Sequence, residues 1–260
     1  MNTNPIGVFD SGIGGLSIWK EIISLLPNED TIYLADSKNA PYGQKSKQEI
    51  IDLSVKNTEF LLKKGAKIIV VACNTATTNA IDYLRKNYDV PFIGIEPAIK
   101  PAALKSKTKK IGILATKGTL NSDLFADKKL RFEQTEIVEQ IGEGLVPLIE
   151  AGKIDSKELE LLLTKYLYKL IQKNIDHLVL GCSHYPFLIP QIQKIIGTKI
   201  RIIDSGEAVA RQTKTVLENS NLLCTDNSKG KHLAYSNKDI SVLQHFVPDS
   251  PFIKTELVDF

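Results

Sequence analysis

Two short stretches hold the residue types that could do chemistry. In KIIVVACNTATT (67–78) an apolar run ends in Cys73, followed at once by Asn74 and Thr75. In DHLVLGCSHYP (176–186) another ends in Cys182, followed by Ser183 and His184. A cysteine closing a strand is as a rule a small buried hydrophobe, yet each of these is followed by hydrogen-bonding groups at the same place in two similar stretches. A thiol acts as a base only as the thiolate, a form favoured by a nearby imidazolium or helix N-terminus. Both cysteines are expected where a helix begins. A third polar corner, FDSGIGG, carries Asp10 and Ser11, and a fourth, ATKGT, carries Thr116 and Thr119. Asp10 is the candidate to assist Cys73, and His184 stands two residues from Cys182. Two thiols meeting one molecule from opposite sides suit one reaction. A base takes a proton from one face of a carbon and an acid returns one to the other, inverting the centre.

The glycines after Asp10 lack the G-x-G-x-x-G spacing of a dinucleotide loop, and no P-loop lysine follows. They serve either a tight strand-to-helix turn or an anion site of backbone N–H groups. Asp10 and Ser11 are then a helix cap or, for Asp10, a proton carrier.

These corners must be held by strands. Short apolar runs at 6–9, 31–35, 68–72, 92–95, 111–115, 136–140, 178–180 and 200–203 alternate with amphipathic stretches such as 47–64, 77–87 and 156–174. Ser156 starts the last of these as a helix. The alternation predicts an α/β fold with largely parallel sheets flanked by helices, whose ligands bind outside the carboxyl ends of the strands. The order of signals repeats: an Ile-Gly strand opens each half and a Cys-polar-polar strand closes it, which suggests an internal duplication. Pro97 and Pro101 fit a crossover, 205–220 reads as a helix, and the tail from Leu222 is expected to return to the first lobe without chemistry of its own. The expected lobes are 1–96 with 208–260, and 97–207.

The chain has 260 residues and a net charge of only +3, which gives no case for nucleic acid. The cluster Lys105, Lys107, Lys109, Lys110 reads as a solvated loop. No apolar stretch reaches membrane-spanning length and no leader is evident at the N-terminus, so a cytoplasmic protein is expected. Three cysteines without a C-x-x-C pair are no disulfide framework. His177, His184, His232 and His245 lack zinc-ligand spacing, so no metal is expected. No lysine stands out for a pyridoxal Schiff base, and no cofactor is expected.

IGVFDSGIGGLS, PYGQKS, CNTAT and GCSHYP, in this order and spacing, closely resemble the glutamate racemases across nearly the whole chain. The resemblance implies two pseudo-symmetric lobes with the site between them. It implies cofactor-independent interconversion of L- and D-glutamate, supplying D-glutamate for peptidoglycan, by a homodimer. It implies Cys73 as the base for the D-enantiomer and Cys182 for the L-enantiomer, assisted by Asp10 and His184. Ser11, Tyr42, Gly43, Asn74, Thr75, Thr116, Thr119, Ser183 and His184 would bind substrate. Ser183 departs from the threonine usual there, keeping the hydroxyl and losing a methyl. Glu150 matches an acidic residue of the family or is a helix-surface residue. Some members need a cell-wall precursor as activator or inhibit DNA gyrase; the short segment before the first strand disfavours the activator-dependent type. The competing readings are an aspartate racemase or related two-cysteine isomerase, a non-catalytic amino-acid-binding module, and a thiol redox enzyme.

Overall fold

The structure is a computed structural model that describes residues 3–260. The apolar runs form β1 (Ile6–Asp10), β2 (Thr31–Ala35), β3 (Ile68–Val71), β4 (Phe92–Gly94), β5 (Lys110–Ala115), β6 (Glu136–Ile141), β7 (His177–Gly181) and β8 (Arg201–Ile203). The tail adds β9 (His232–Ser236) and β10 (Ile253–Leu257). Parallel sheets covered on both faces require continuous apolar strands, and β1, β2, β3 and β7 are buried along their whole length. The helices are α1 (Leu16–Leu25), α2 (Lys47–Lys63), α3 (Asn74–Asn87), α4 (Ile99–Lys105), α5 (Lys117–Leu120), α6 (Asp123–Leu130), α7 (Leu145–Glu150), α8 (Lys157–Ile171), α9 (Ile189–Ile196), α10 (Gly206–Asn219) and α11 (Ile240–Phe246).

The strands form two sheets in the orders β10-β9-β2-β1-β3-β4 and β6-β5-β7-β8. The run β2-β1-β3-β4 therefore has the same topology as β6-β5-β7-β8, and every pairing is parallel. All carboxyl ends of a sheet thus share one edge. Cys73 and Cys182 leave equivalent strands, β3 and β7, each beside its sheet's opening strand. The chain crosses between sheets before α4 and after β8, where Ser205 Oγ donates to the Glu96 carbonyl at 2.5 Å.

Two local features depart from the sequence reading. Helix α3 begins at Asn74, before the stretch that its apolar spacing marks, because its first turn, Asn-Thr-Ala-Thr, is polar. Cys73 is its N-cap, and the Ala76 N–H points at the sulfur at 3.5 Å. Cys182 does not open an α-helix: β7 ends at Gly181, and a single 3-10 turn, Tyr185–Leu188, precedes α9. Pro186 and Pro190 supply no N–H in that segment, which favours a broken start over one continuous helix.

At the opposite edge of the first sheet, Lys67 meets Glu29 at 2.6 Å with both side chains 2% exposed. Glu29 also accepts the Cys224 N–H at 2.6 Å, which ties the tail to this pair. Removing one member of a buried ion pair leaves an uncompensated charge. Lys67→Met is expected to destabilise the fold by about 3–5 kcal/mol in urea unfolding, and Lys67→Met with Glu29→Leu to recover most of that loss.

Candidate active site

The carboxyl edges of the two sheets face each other, and hydrogen bonds cross between them. Thr75, in the first turn of α3, meets Thr116 at 2.8 Å and Thr119 at 3.3 Å, and Thr116 meets Thr119 at 3.1 Å. Ser183 Oγ donates to Asp10 Oδ1 at 3.0 Å, and Ser17 Oγ donates to the Ser183 carbonyl at 3.0 Å. Glu150, at the end of α7, accepts three hydrogen bonds. Its Oε1 accepts the Ile13 N–H at 2.7 Å and His184 Nε2–H at 2.5 Å, while Oε2 accepts Ser37 Oγ at 3.0 Å. On the other side of the ring, His184 Nδ1 lies 3.8 Å from Cys182 Sγ. Cys73 Sγ lies 3.7 Å from Ser11 Oγ.

The glycine corner is shaped by close approach. A Cβ on Gly12 would stand 1.9 Å from Glu150 Oε1, and one on Gly14 would stand 2.2 Å from His184 Nδ1. Neither residue is among those with positive φ. These glycines make room for the side chains of the facing lobe rather than for an unusual backbone conformation.

The site is buried, and burial sets its charge states. Burial alone would push the His184 imidazole down. The hydrogen bonds with Cys182 and Glu150 and the charges of Glu150 and Asp10 outweigh it, holding the ring well above the ordinary 6.5. Burial, then the Asp10 charge, pushes the Cys73 thiol well above 9.0 despite the Ala76 N–H and Ser11 hydroxyl. The Cys182 charge adds to the rise of Cys73 as the smallest of these causes. Burial also raises the Asp10 carboxyl above 3.8, opposed by His184 and reinforced by Glu150.

Asp10, Ser11, Cys73, Asn74, Thr75, Thr116, Thr119, Cys182, Ser183 and His184 all lie at this junction, and Gly43 packs against Thr116. The Asp10 carboxylate takes its hydrogen bonds from Gly12 and Ser183, none of them from Cys73. Tyr42 has its hydroxyl committed elsewhere, donating to Asp36 at 2.5 Å and accepting from Asn57 at 3.0 Å. Asn74 is 2% exposed, and neither atom of its amide has a partner. Buried polar groups are rarely left so, and this amide beside Cys73 has a donor and an acceptor free for a ligand. Glu150 is not on the surface: its side chain is 13% exposed and turned into the site. Ser37 was missed, although TIYLADS ends β2 with the same Asp-Ser layout that GVFDS gives β1. Among the described residues, no group of three His, Cys, Asp or Glu could hold a metal ion.

The model of the Asp/Glu/hydantoin racemase family matches residues 6–213. The chain is 45% identical over 231 residues to a glutamate racemase of Herpetosiphon aurantiacus, covering 88% of this chain and 91% of that one. To a glutamate racemase of Cupriavidus pinatubonensis it is 42% identical over 257 residues, 98% of this chain and 94% of the other. The crystal structure of a glutamate racemase isoform from Bacillus anthracis superposes with a TM-score of 0.88 at 31% identity, covering 100% of this chain and 98% of that one.

Two measurements test this geometry. Gly14→Ala drives a methyl into the His184 ring and is expected to lower stability by about 1–3 kcal/mol in urea unfolding. In NMR, the His184 ring protons are expected to show no titration step near 6.5, and Glu150→Gln to bring the step back toward that value.

Proposed function

This chain belongs to the Asp/Glu/hydantoin racemase family, and we propose that it interconverts L- and D-glutamate by a two-thiol mechanism without a cofactor. It is an isomerase. The reading rests on one observation above the others: two buried cysteines leave equivalent strands of two facing sheets. In the L-to-D direction the Cys182 thiolate takes the Cα proton. The Cys73 thiol, held protonated by burial, then delivers its proton to the opposite face. The next turnover from L-glutamate requires the proton on Cys182 to leave and Cys73 to regain one. In the reverse direction Cys73 is the base and Cys182 the acid.

The surroundings of each thiol fit these roles. The protonated His184 ring, fixed by Glu150, donates from Nδ1 to the Cys182 thiolate. Ser11 and the Ala76 N–H face the Cys73 sulfur. Asp10 acts on the Cys73 side through its charge and holds Ser183. The substrate's two carboxylates and ammonium take the hydroxyls of Ser11, Thr75, Thr116, Thr119 and Ser183, the Asn74 amide and the backbone at Tyr42–Gly43. Neutral donors at helix starts can bind carboxylate without a buried arginine. Access needs opening, because both thiols are at most 5% exposed. Two cavities of about 360 and 270 Å³, which share Pro41, Val146 and Pro147 in their walls, lie beside the junction and offer the route by which it would open. The product supplies peptidoglycan synthesis, and the enzyme works in the cytoplasm as a homodimer. No helix among the described residues is long and apolar enough to cross a membrane.

The test is incubation with L-glutamate in D₂O without added cofactor. The optical signal is expected to decay as deuterium enters Cα. Cys73→Ser and Cys182→Ser are each expected to lose about a thousandfold in racemisation. Turnover of aspartate alone would overturn the substrate assignment; inversion surviving both substitutions would overturn the mechanism.

A further inference from the structure

The tail strand β9 also ends at the carboxyl edge of the first sheet. It pairs with β2 in the register Leu34↔Tyr235 and Ala35↔Ser236. The residues that follow the two strands, Asp36 and Asn237, are therefore side by side at the rim of the site. Asn237 is 9% exposed and lies beyond the 6–213 segment that carries the family match. Its Nδ2 donates to Asp36 Oδ1 at 2.5 Å, and its Oδ1 accepts the Lys38 N–H at 2.9 Å. It thus clamps both sides of the turn that carries Ser37.

That turn reaches the chemistry along two branches. Ser37 donates to Glu150, whose other oxygen holds the His184 ring beside Cys182. Asp36, also held by Asn39 at 2.8 Å, accepts the Tyr42 hydroxyl and so fixes the turn whose Gly43 packs on Thr116. The Asp36 N–H additionally donates to the Asp10 carbonyl at 3.1 Å. Asp36 is a buried carboxylate, 1% exposed, so a lost partner is not replaced by bulk water. A second contact of the tail with this turn is the exposed ion pair of Lys38 Nζ with Asp259 Oδ1 at 3.6 Å.

We propose that Asn237, supplied by the tail, is a positioning residue of the racemisation site: it clamps the 36–39 turn so that Ser37 and Glu150 can hold His184 against Cys182. The proposal rests on the two-thiol reading for its kinetic consequence and on geometry alone for its structural one. Nothing in the tail's sequence marks Asn237 except its layout. HLAYSN ends a strand in a small polar pair, as GVFDS and TIYLADS do.

The experiment uses Asn237→Ala and the near-isosteric Asn237→Asp, which keeps the volume but sets a second carboxylate against Asp36. The first readout needs no substrate. The proton shared by His184 and Glu150 should give a downfield NMR signal in the wild type, assigned by its loss in His184→Gln. This signal is expected to shift or broaden in both Asn237 variants while the remaining spectrum stays folded. The second readout is kinetic. kcat is expected to fall about tenfold in Asn237→Ala, and further in Asn237→Asp, with KM changed less than about twofold. Combined with Ser37→Ala, the loss is expected to be less than the product of the two single losses, because both act through one chain of contacts. An unmoved imidazole signal with wild-type kcat would overturn the role of Asn237 and leave the racemase reading intact. Multiplicative losses with Ser37→Ala would do the same. A wild type that does not racemise would instead remove the two-thiol reading, and the imidazole signal would still decide whether Asn237 holds the turn. If Asn237→Ala fails to fold, Asn237→Asp carries both readouts.

Discussion

The contact between the Glu150 carboxylate and the His184 ring is the interaction on which the site depends. A buried imidazolium is costly without a partner, and Glu150 supplies one at 2.5 Å. The same carboxylate accepts from Ile13 and Ser37, which belong to the other lobe. One group therefore sets the charge of the ring beside Cys182 and links the two sheets' edges across the junction. The Ile13 and Ser37 contacts converge on the same carboxylate that orients His184.

The close packing around this pair explains the glycine corner. Gly12 and Gly14 sit where any side chain would occupy the space of the Glu150 carboxylate or the His184 ring. Across the junction, the hydroxyls of Thr75, Thr116 and Thr119 form a neutral cluster on the Cys73 side. Sheet topology is duplicated, but the environments are not. Cys73 caps a helix among hydroxyls, and Cys182 lies beside a charged ring. Two thiols on like scaffolds thus sit in unlike surroundings.

Much of this was legible in the sequence for reasons of local physics. Apolar runs long enough to be buried on both faces became strands. Ser156 capped its helix, accepting from Leu159 N–H at 3.2 Å. The polar corners after β1, β3, β5 and β7 fell at carboxyl edges because parallel pairing puts all such ends on one side. Boundaries failed where polarity hid periodicity, as in the first turn of α3, and where prolines broke a helix start, as after Cys182.

Residue types and their order determined the α/β class, the two thiols, the hydroxyl-rich corners and His184 beside Cys182, because each depends on neighbours a few positions away. Only the tertiary structure decided what those groups meet. Between the two sequence readings of Glu150, an acidic site residue and a helix-surface residue, the packing of the α7 end against His184, 34 positions away in sequence, decides. Asp10, near Cys73 in topology, turns its hydrogen bonds to Gly12 and Ser183 instead. Asn237 lies 201 positions from Asp36 and meets it only because β9 pairs with β2. Contacts of that span follow from sheet order and lobe closure, which no local pattern of side chains encodes.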